Sequence, residues 1–286
     1  MPLAPEFDTA GLFARDPRLW ATAAKALYGH NITFGNIYPK AILTVGFPEN
    51  ASTPYNLMLN TFLKNLTNFL SANTTAYNVE DAWKADQVND LPLPQFLNNT
   101  YELLTAKEQG KLVRDKFYTD YTKVHDGGLP HVNPSPLQRW AFGDDDTSTI
   151  EEVVAAKTKF MKWFNEKELP RDAKTCSKHL LVYVPKTPAP KYRDTYLTGP
   201  SRPFPFSITR LSVYSGAPDM VVPIGEVTYH SAITNRTEVL PASVDLMAAK
   251  GCDGMIFSLV RDLHAAGILA TVKTGRSIIS GGNILL

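Results

Sequence analysis

Apolar positions recur along this chain at two spacings, and the changes between them mark out its elements. Asp16 is placed to cap a helix and Pro17 to begin it, while Leu19, Trp20, Ala23, Ala24 and Leu27 form a stripe that stops at Gly29. This predicts an amphipathic helix over 17–28. Residues 37–47, rich in Ile, Leu and Val and closed by Gly46 and Pro48, predict a strand with its exit turn. Ser52 and Pro54 open a second helix with the stripe Leu59, Phe62, Leu63, Leu66, Phe69 and Leu70. Residues 77–100 are Asn-, Asp- and Pro-rich and predict a loop region around a short helix near Glu80 to Lys84.

Thr105 followed by Glu108 matches a capping box, and Leu112, Val113, Lys116 and Phe117 continue at helical spacing, predicting a helix over about 105–122. Residues 124–149, with Gly127-Gly128 and Asp144-Asp145-Asp146, predict irregular surface. Ser148 with Glu151 makes a second box. From it runs a helix that buries Ile150, Val153, Val154, Phe160, Met161 and Phe164 and exposes Lys157, Lys159 and Lys162. Residues 180–184 form a compact apolar strand, and the proline-rich 185–206 reads as an extended crossing. The tail alternates strand-like pieces at 208–214, 220–224 and 239–247 with a helix from Asp253 to about Ala266, followed by a piece at 268–273. That helix has Asp253 as its cap, Ile256, Leu259, Val260 and Leu263 as its buried stripe, and Gly267 as its stop. The texture is α/β.

At 286 residues, 44% hydrophobic and 20% charged, the chain is long enough for one large core or two smaller ones. A formal charge of +1 supplies no field to attract nucleic acid or an anionic membrane. The longest apolar runs fall far short of the roughly 20 residues that cross a bilayer. Residues 1–7 lack a basic region followed by an apolar stretch, so the chain as written reads as cytoplasmic. Against this stand six glycosylation sequons, at Asn31, Asn50, Asn65, Asn73, Asn98 and Asn235, where chance gives roughly two. They point to a longer, secreted parent; an Asn-rich surface with accidental matches is the alternative. Cys176 and Cys252 are too few for a disulfide framework or a four-ligand zinc site; one bridge is possible, and nothing in the sequence argues for it.

Candidate chemistry is sparse. His125 and His131 bracket Gly127-Gly128, with Asp126 adjacent, but two imidazoles in a loop have no enforced geometry, and His179, His230 and His264 offer no third-ligand spacing. A polar turn is the stronger reading. The run Asp144 to Asp146 lacks the alternating ligands of a calcium loop. No Gly-x-Ser-x-Gly elbow occurs; Ser215-Gly216 and Ser280-Gly281-Gly282 read as turns. Lys273-Thr274-Gly275-Arg276 lacks the glycine series of a phosphate loop. No cofactor and no metal are expected.

One order of motifs does point to a family. Tyr214-Ser215-Gly216-Ala217-Pro218-Asp219 leading into the strand Met220-Val221-Val222-Pro223-Ile224-Gly225, then Leu240-Pro241-Ala242-Ser243-Val244, then Gly251-Cys252-Asp253-Gly254-Met255 and its helix resemble the carboxyl end of amidase-signature enzymes. Phe7-Asp8-Thr9-Ala10-Gly11-Leu12-Phe13-Ala14-Arg15 is similar to the passage that follows that family's signature region. The long middle, about 48–200, resembles the extended fungal-type members. Locally, Gly216 and Pro218 would turn the chain, residues 220–224 would form a strand buried on both faces, and Pro223 would end its pairing. The resemblance implies amide hydrolysis by a serine nucleophile, a relaying serine and a lysine base, with a Gly-rich loop stabilising the oxyanion. No two serines are adjacent in this chain, and Thr198-Gly199-Pro200-Ser201-Arg202 is no substitute for the nucleophile segment. No catalytic residue is therefore assigned.

The expected fold is the carboxyl half of an amidase-signature fold: a mixed β-sheet flanked by helices with a largely helical insertion. Its parts are 1–47 as a sheet and helix segment, 48–200 as the helical insertion and crossing, and 201–286 as a sheet-completing α/β unit. The resemblance implies a small-molecule amide substrate for the complete enzyme, with a complementing catalytic half or a second copy as partner, while the charge and the short apolar runs lead to the expectation of no nucleic acid and no membrane. The alternatives are a non-catalytic interaction module that inherited the fold, and a self-contained hydrolase using Ser215 and His230.

Overall fold

A computed structural model describes residues 3–194 and 206–283. The chain divides into two compact units: Gly11–Asn78, Phe164–Thr195 and Ala217–Leu286 form the larger, and Met1–Ala10, Val79–Trp163 and Tyr196–Gly216 the smaller.

The larger unit contains α1 (Pro17–Tyr28), β1 (Ala41–Val45), α2 (Pro54–Leu70), β2 (Asn73–Ala76), and the short pair β3 (Arg171–Asp172) and β4 (Cys176–Ser177). It continues with β5 (Leu180–Tyr183), β6 (Asp219–His230), β7 (Thr237–Met247) and α10 (Asp253–Ala265). Its main sheet has the order β2-β1-β5-β7-β6. β2, β1 and β5 run parallel, and β7 pairs antiparallel with both β5 and β6. A parallel pair needs a crossover, which α2 supplies between β1 and β2; β6 and β7 need only a tight turn.

Strand alternation sorts the sheet's residues. Ile42, Leu180, Val182, Val222, Val244 and Leu246 join one buried cluster with Leu59, Phe62 and Leu66 of α2 and Ile256, Leu259, Val260 and Leu263 of α10. α10 therefore buries the stripe its sequence predicts, although Cys252 rather than Asp253 takes its cap position, and α2 buries four residues of its stripe while Leu63 is half-buried and Phe69 exposed. Thr53 caps α2, its hydroxyl accepting from the Asn56 amide at 3.1 Å ahead of Pro54. Gly267 ends α10 with φ +72°, and the Ile268 amide donates to the Leu263 carbonyl, so 268–273 serves as the helix's exit rather than a strand.

Three expectations change here. α1 turns its buried face by a residue: Pro17 and Ala24 are inside with Trp20 packed against the core, whereas Leu19 and Leu27 are exposed. β6 is not buried on both faces, since it is the sheet edge and Val221 is exposed. Nor does Pro223 end it. Pro223 pairs with Ser243, a bulge follows before Gly225, and pairing runs on to His230. A proline survives in this strand because edge and bulge positions need no ladder N–H.

Gly254 marks a close approach that only a bare backbone allows. A Cβ there would lie 2.2 Å from the Thr33 carbonyl oxygen. Gly254→Ala is expected to cost about 2–3 kcal/mol, read as a lowered denaturation midpoint, because the obstacle is backbone and not a movable side chain. Unchanged stability would refute that packing.

The smaller unit is helical: α3 (Val79–Ala85), α4 (Leu93–Phe96), α5 (Thr100–Gln109), α6 (Asp115–Val124), α7 (Pro134–Asp145), α8 (Ile150–Trp163) and α9 (Leu211–Ser215). The short helix expected near Glu80 is α3. The predicted 105–122 helix starts earlier, at Thr100, and is interrupted by a π-turn at Gly110–Arg114. Thr105 is no cap. Its hydroxyl donates back to the Tyr101 carbonyl at 2.8 Å from the helix interior. The segment expected to be irregular holds α7: Asn133 caps it and Pro134 occupies the first turn, where the missing N–H costs nothing. Lys107 Nζ closes its far end by donating to the Gly143 and Asp146 carbonyls at 2.8 and 2.7 Å.

The capping box before α8 falls one residue later than predicted, between Thr149 and Glu152. The Thr149 amide donates to the Glu152 carboxylate at 2.8 Å, and the Glu152 amide donates to the Thr149 hydroxyl at 3.2 Å. Lys157, expected outside, is only 6% exposed, with its ammonium on the Glu6 carboxylate at 3.2 Å and near the Phe7 ring. Helical periodicity cannot anticipate a counter-charge supplied by a residue 151 positions away. The piece at 208–214 is helical as well, a 3-10 turn leading into α9, which Gly216 ends at φ +66°. The crossing expected over 185–206 is irregular over its described part, and Thr198 to Arg202 lie outside the described residues.

Candidate functional site

In an open α/β sheet, ligand-facing chemistry gathers beyond the carboxyl ends of parallel strands. β5 ends on Tyr183, which pairs with Asp245 on β7, which in turn pairs with Val221 on β6. Asp219, two residues before Val221, therefore shares a face with Tyr183 and Asp245, opposite the face that packs on α2 and α10. Tyr183 and Asp245 are each 2% exposed. The Tyr183 hydroxyl donates to Asp219 Oδ2 at 2.6 Å.

Two carboxyl groups in one dry site cannot both ionise freely. Burial first, and the charge of Asp219 second, push the Asp245 carboxyl up to about 7. Burial likewise pushes the Tyr183 hydroxyl well above its usual range, with the two aspartates adding to it. The cluster can therefore hold a proton at neutral pH beside a carboxylate oriented by a phenol, an arrangement suited to proton exchange. Sequence reasoning gave none of the three a chemical role, although a visible signal existed: Asp219 and Asp245 each adjoin an apolar run, Met220–Val222 and Leu246-Met247.

The residues singled out from sequence are placed as follows. Ser215 is fully buried at the end of α9, its hydroxyl donating to the Leu211 carbonyl at 2.6 Å. His230 is exposed at the end of β6, with Nε2 donating to Asn235 Oδ1 at 3.0 Å. His125 stacks on Tyr121 with ring centroids 3.9 Å apart, and His131 is exposed in a loop. Asp144 pairs with Arg114 at 2.6 Å, while the Ser148 side chain first, and its amide at 2.8 Å second, hydrogen-bond Asp146 and hold its carboxyl below the usual range. Among the described residues, no three His, Cys, Asp or Glu side chains converge to hold a metal ion. Lys273 to Arg276 form a turn in which Gly275 has φ +119° and the Lys273 amide donates to Ile278. A cleft of about 260 Å³ on α2 is lined by Leu57, Met58, Phe62, Ile224 and Ile268 together with the polar Thr61 and Asn65, and no titratable side chain lines it.

Cys176 and Cys252 are joined as a disulfide, with Cα atoms 5.8 Å apart and a sequence separation of 76. The bond ties the β3–β4 hairpin to the residue that precedes α10. In that hairpin Asp172 accepts the Thr175 and Lys174 amides, and these bonds hold its carboxyl below the usual carboxylate range. Cys176 itself has φ +63°, a conformation the turn imposes.

No family model matches the sequence. Among solved structures, the chain is similar to a peptide amidase from Stenotrophomonas maltophilia, with 12% identity and a TM-score of 0.54 over 94% of this chain and 56% of that one. It is similar also to a structure described as an amidase, with 16% identity, a TM-score of 0.53, and 94% and 55% covered. An amidase family protein from Bacillus anthracis str. Ames gives 15% identity, a TM-score of 0.50, and 94% and 51% covered. The chain thus has a mixed α/β fold, with a five-stranded sheet flanked by helices, that matches these amidases and spans about half the length of each.

Proposed function

We propose that this chain forms the carboxyl-terminal part, of the extended fungal type, of an amidase-signature hydrolase acting on small carboxylic amides. Its reactive Ser-Ser-Lys groups would come from polypeptide outside these 286 residues, as a further part of the same protein or as a complementing half. The observation that carries the reading is the match of nearly the whole chain to about half of a solved peptide amidase. Two further features support it. The succession β6, β7 and α10 follows the motif order that resembles the family's carboxyl end. Phe13 is fully exposed, and Leu19 and Leu27 of α1 are exposed as well, apolar surface of the kind a neighbouring segment covers.

The test is hydrolysis of acetanilide-type amides by the purified chain, alone and mixed with a segment carrying a lysine and a Gly-rich Ser-Ser loop. No turnover is expected alone, and turnover is expected on mixing. Hydrolysis at enzymatic rates by the chain alone would overturn the assignment of the reactive groups. Failure of the mixture, with binding between the two parts demonstrated, would overturn the functional reading.

A further inference from the structure

We propose that this protein carries N-linked glycans on its sequon asparagines and matures, with the Cys176–Cys252 bridge closed, in an oxidising secretory compartment. Two independent observations carry it. The first is that Asn31, Asn50, Asn65, Asn73, Asn98 and Asn235 are all exposed. A glycan is attached through the asparagine amide nitrogen and is far too large and polar to bury, so a sequon can be used only where the finished fold leaves that side chain in water. The fold meets this condition at every one of the six. Asn31 ends the turn after α1, Asn50 lies between β1 and α2, Asn65 is on the outer face of α2, and Asn73 begins β2. Asn98 lies between α4 and α5, and Asn235 turns the β6–β7 hairpin with φ +53°.

Asn235 shows the compatibility at atomic detail. His230 Nε2 donates to its Oδ1, leaving Nδ2, the atom that would bear the sugar, clear of that bond. Thr100, the hydroxyl residue of the Asn98 sequon, is buried in the folded protein. That is no obstacle, because the acceptor sequence needs to be reached only while the chain is still unfolded; the glycan, not the threonine, must remain outside.

The second observation is the bridge. Both cysteines of the chain are consumed in it, and Cys252 is 1% exposed. A stable structural bridge belongs to an oxidising compartment, since reducing cytosol keeps such pairs as thiols. The sequons and the disulfide thus require the same environment for unrelated chemical reasons. Neither depends on the amidase reading.

The protein isolated from its source cells should be digested after treatment with a peptide N-glycosidase in heavy-oxygen water. Labelled aspartate is expected at several of the six positions, Asn235 among them, and neither cysteine should be alkylated without prior reduction. Six unmodified asparagines, or two cysteines alkylated without reduction, would overturn the proposal. In a eukaryotic secretion host, Asn235→Gln and Thr237→Ala should each increase the chain's gel mobility by one glycan step. Thr237→Ser and Asn36→Gln, the latter changing an exposed asparagine outside any sequon, should leave it unchanged. Equal mobility of all four variants and the parent would also count against it.

Discussion

Loss of the Cys176–Cys252 bond, by reduction or by the double change Cys176→Ala and Cys252→Ala, is expected to lower the protein's unfolding free energy by about 2–5 kcal/mol. The loop it closes spans 76 residues. For that length the chain-entropy argument gives about 4.5 kcal/mol of restriction removed from the unfolded state. The bond also holds a turn residue at positive φ against the start of α10, so its loss frees the hairpin locally as well as the chain globally. Guanidinium denaturation with and without reductant measures the effect, and reduced wild type should unfold at the same midpoint as the double variant. If thiol titration shows complete reduction and the midpoint does not move, the bridge contributes nothing to stability.

A second large effect concerns pH. The Asp245 carboxyl titrates near 7 in the folded protein because burial and Asp219 disfavour its charge, whereas in the unfolded chain it titrates near its ordinary 3.8. Between those values the folded state holds a proton that the unfolded state has released. Stability from this group is therefore full at and below the unfolded value, falls as pH rises, and levels off above about 7. This is opposite in sign to a salt-bridged aspartate. A difference of about three units corresponds to a loss on the order of 3–4 kcal/mol between pH 4 and pH 8. Asp245→Asn, which keeps the shape and removes the charge, is expected to flatten that slope and to exceed wild type in stability at pH 8. Urea midpoints of both proteins at several pH values decide it. Parallel profiles for wild type and variant would show that Asp245 does not govern the slope.

Both effects lie in the larger unit, where the sheet brings together residues distant in sequence. Tyr183 and Asp245 are paired across β5 and β7, and Asp219 reaches the same face only through the β6 register. On sequence alone the three are an aromatic at the end of an apolar run and two acids in separate strands. The same holds for Lys157, whose position on the α8 wheel looked solvent-facing until Glu6 and Phe7 came beside it. Ser215, the most tempting nucleophile by its neighbours, is instead buried with its hydroxyl on a helix carbonyl.

The sequence by itself determined the elements whose forces are short in range. Thr53-Pro54 and the α2 stripe, the α10 stripe with its Gly267 stop, the apolar β5 and the short α3 all depend on capping, proline geometry and apolar spacing within a few residues. The helix begun by Asn133-Pro134 was equally local, but it lies in the stretch that its Gly-Gly and Asp runs made read as irregular surface, and Pro134 is its initiator. Only the tertiary structure decided that β6 is an exposed edge continuing past Pro223, that Leu19 points outward, that two cysteines 76 residues apart are joined, and that two aspartates share one dry site. Those outcomes depend on which distant strand or helix arrives alongside, and no local period or cap records the identity of that neighbour.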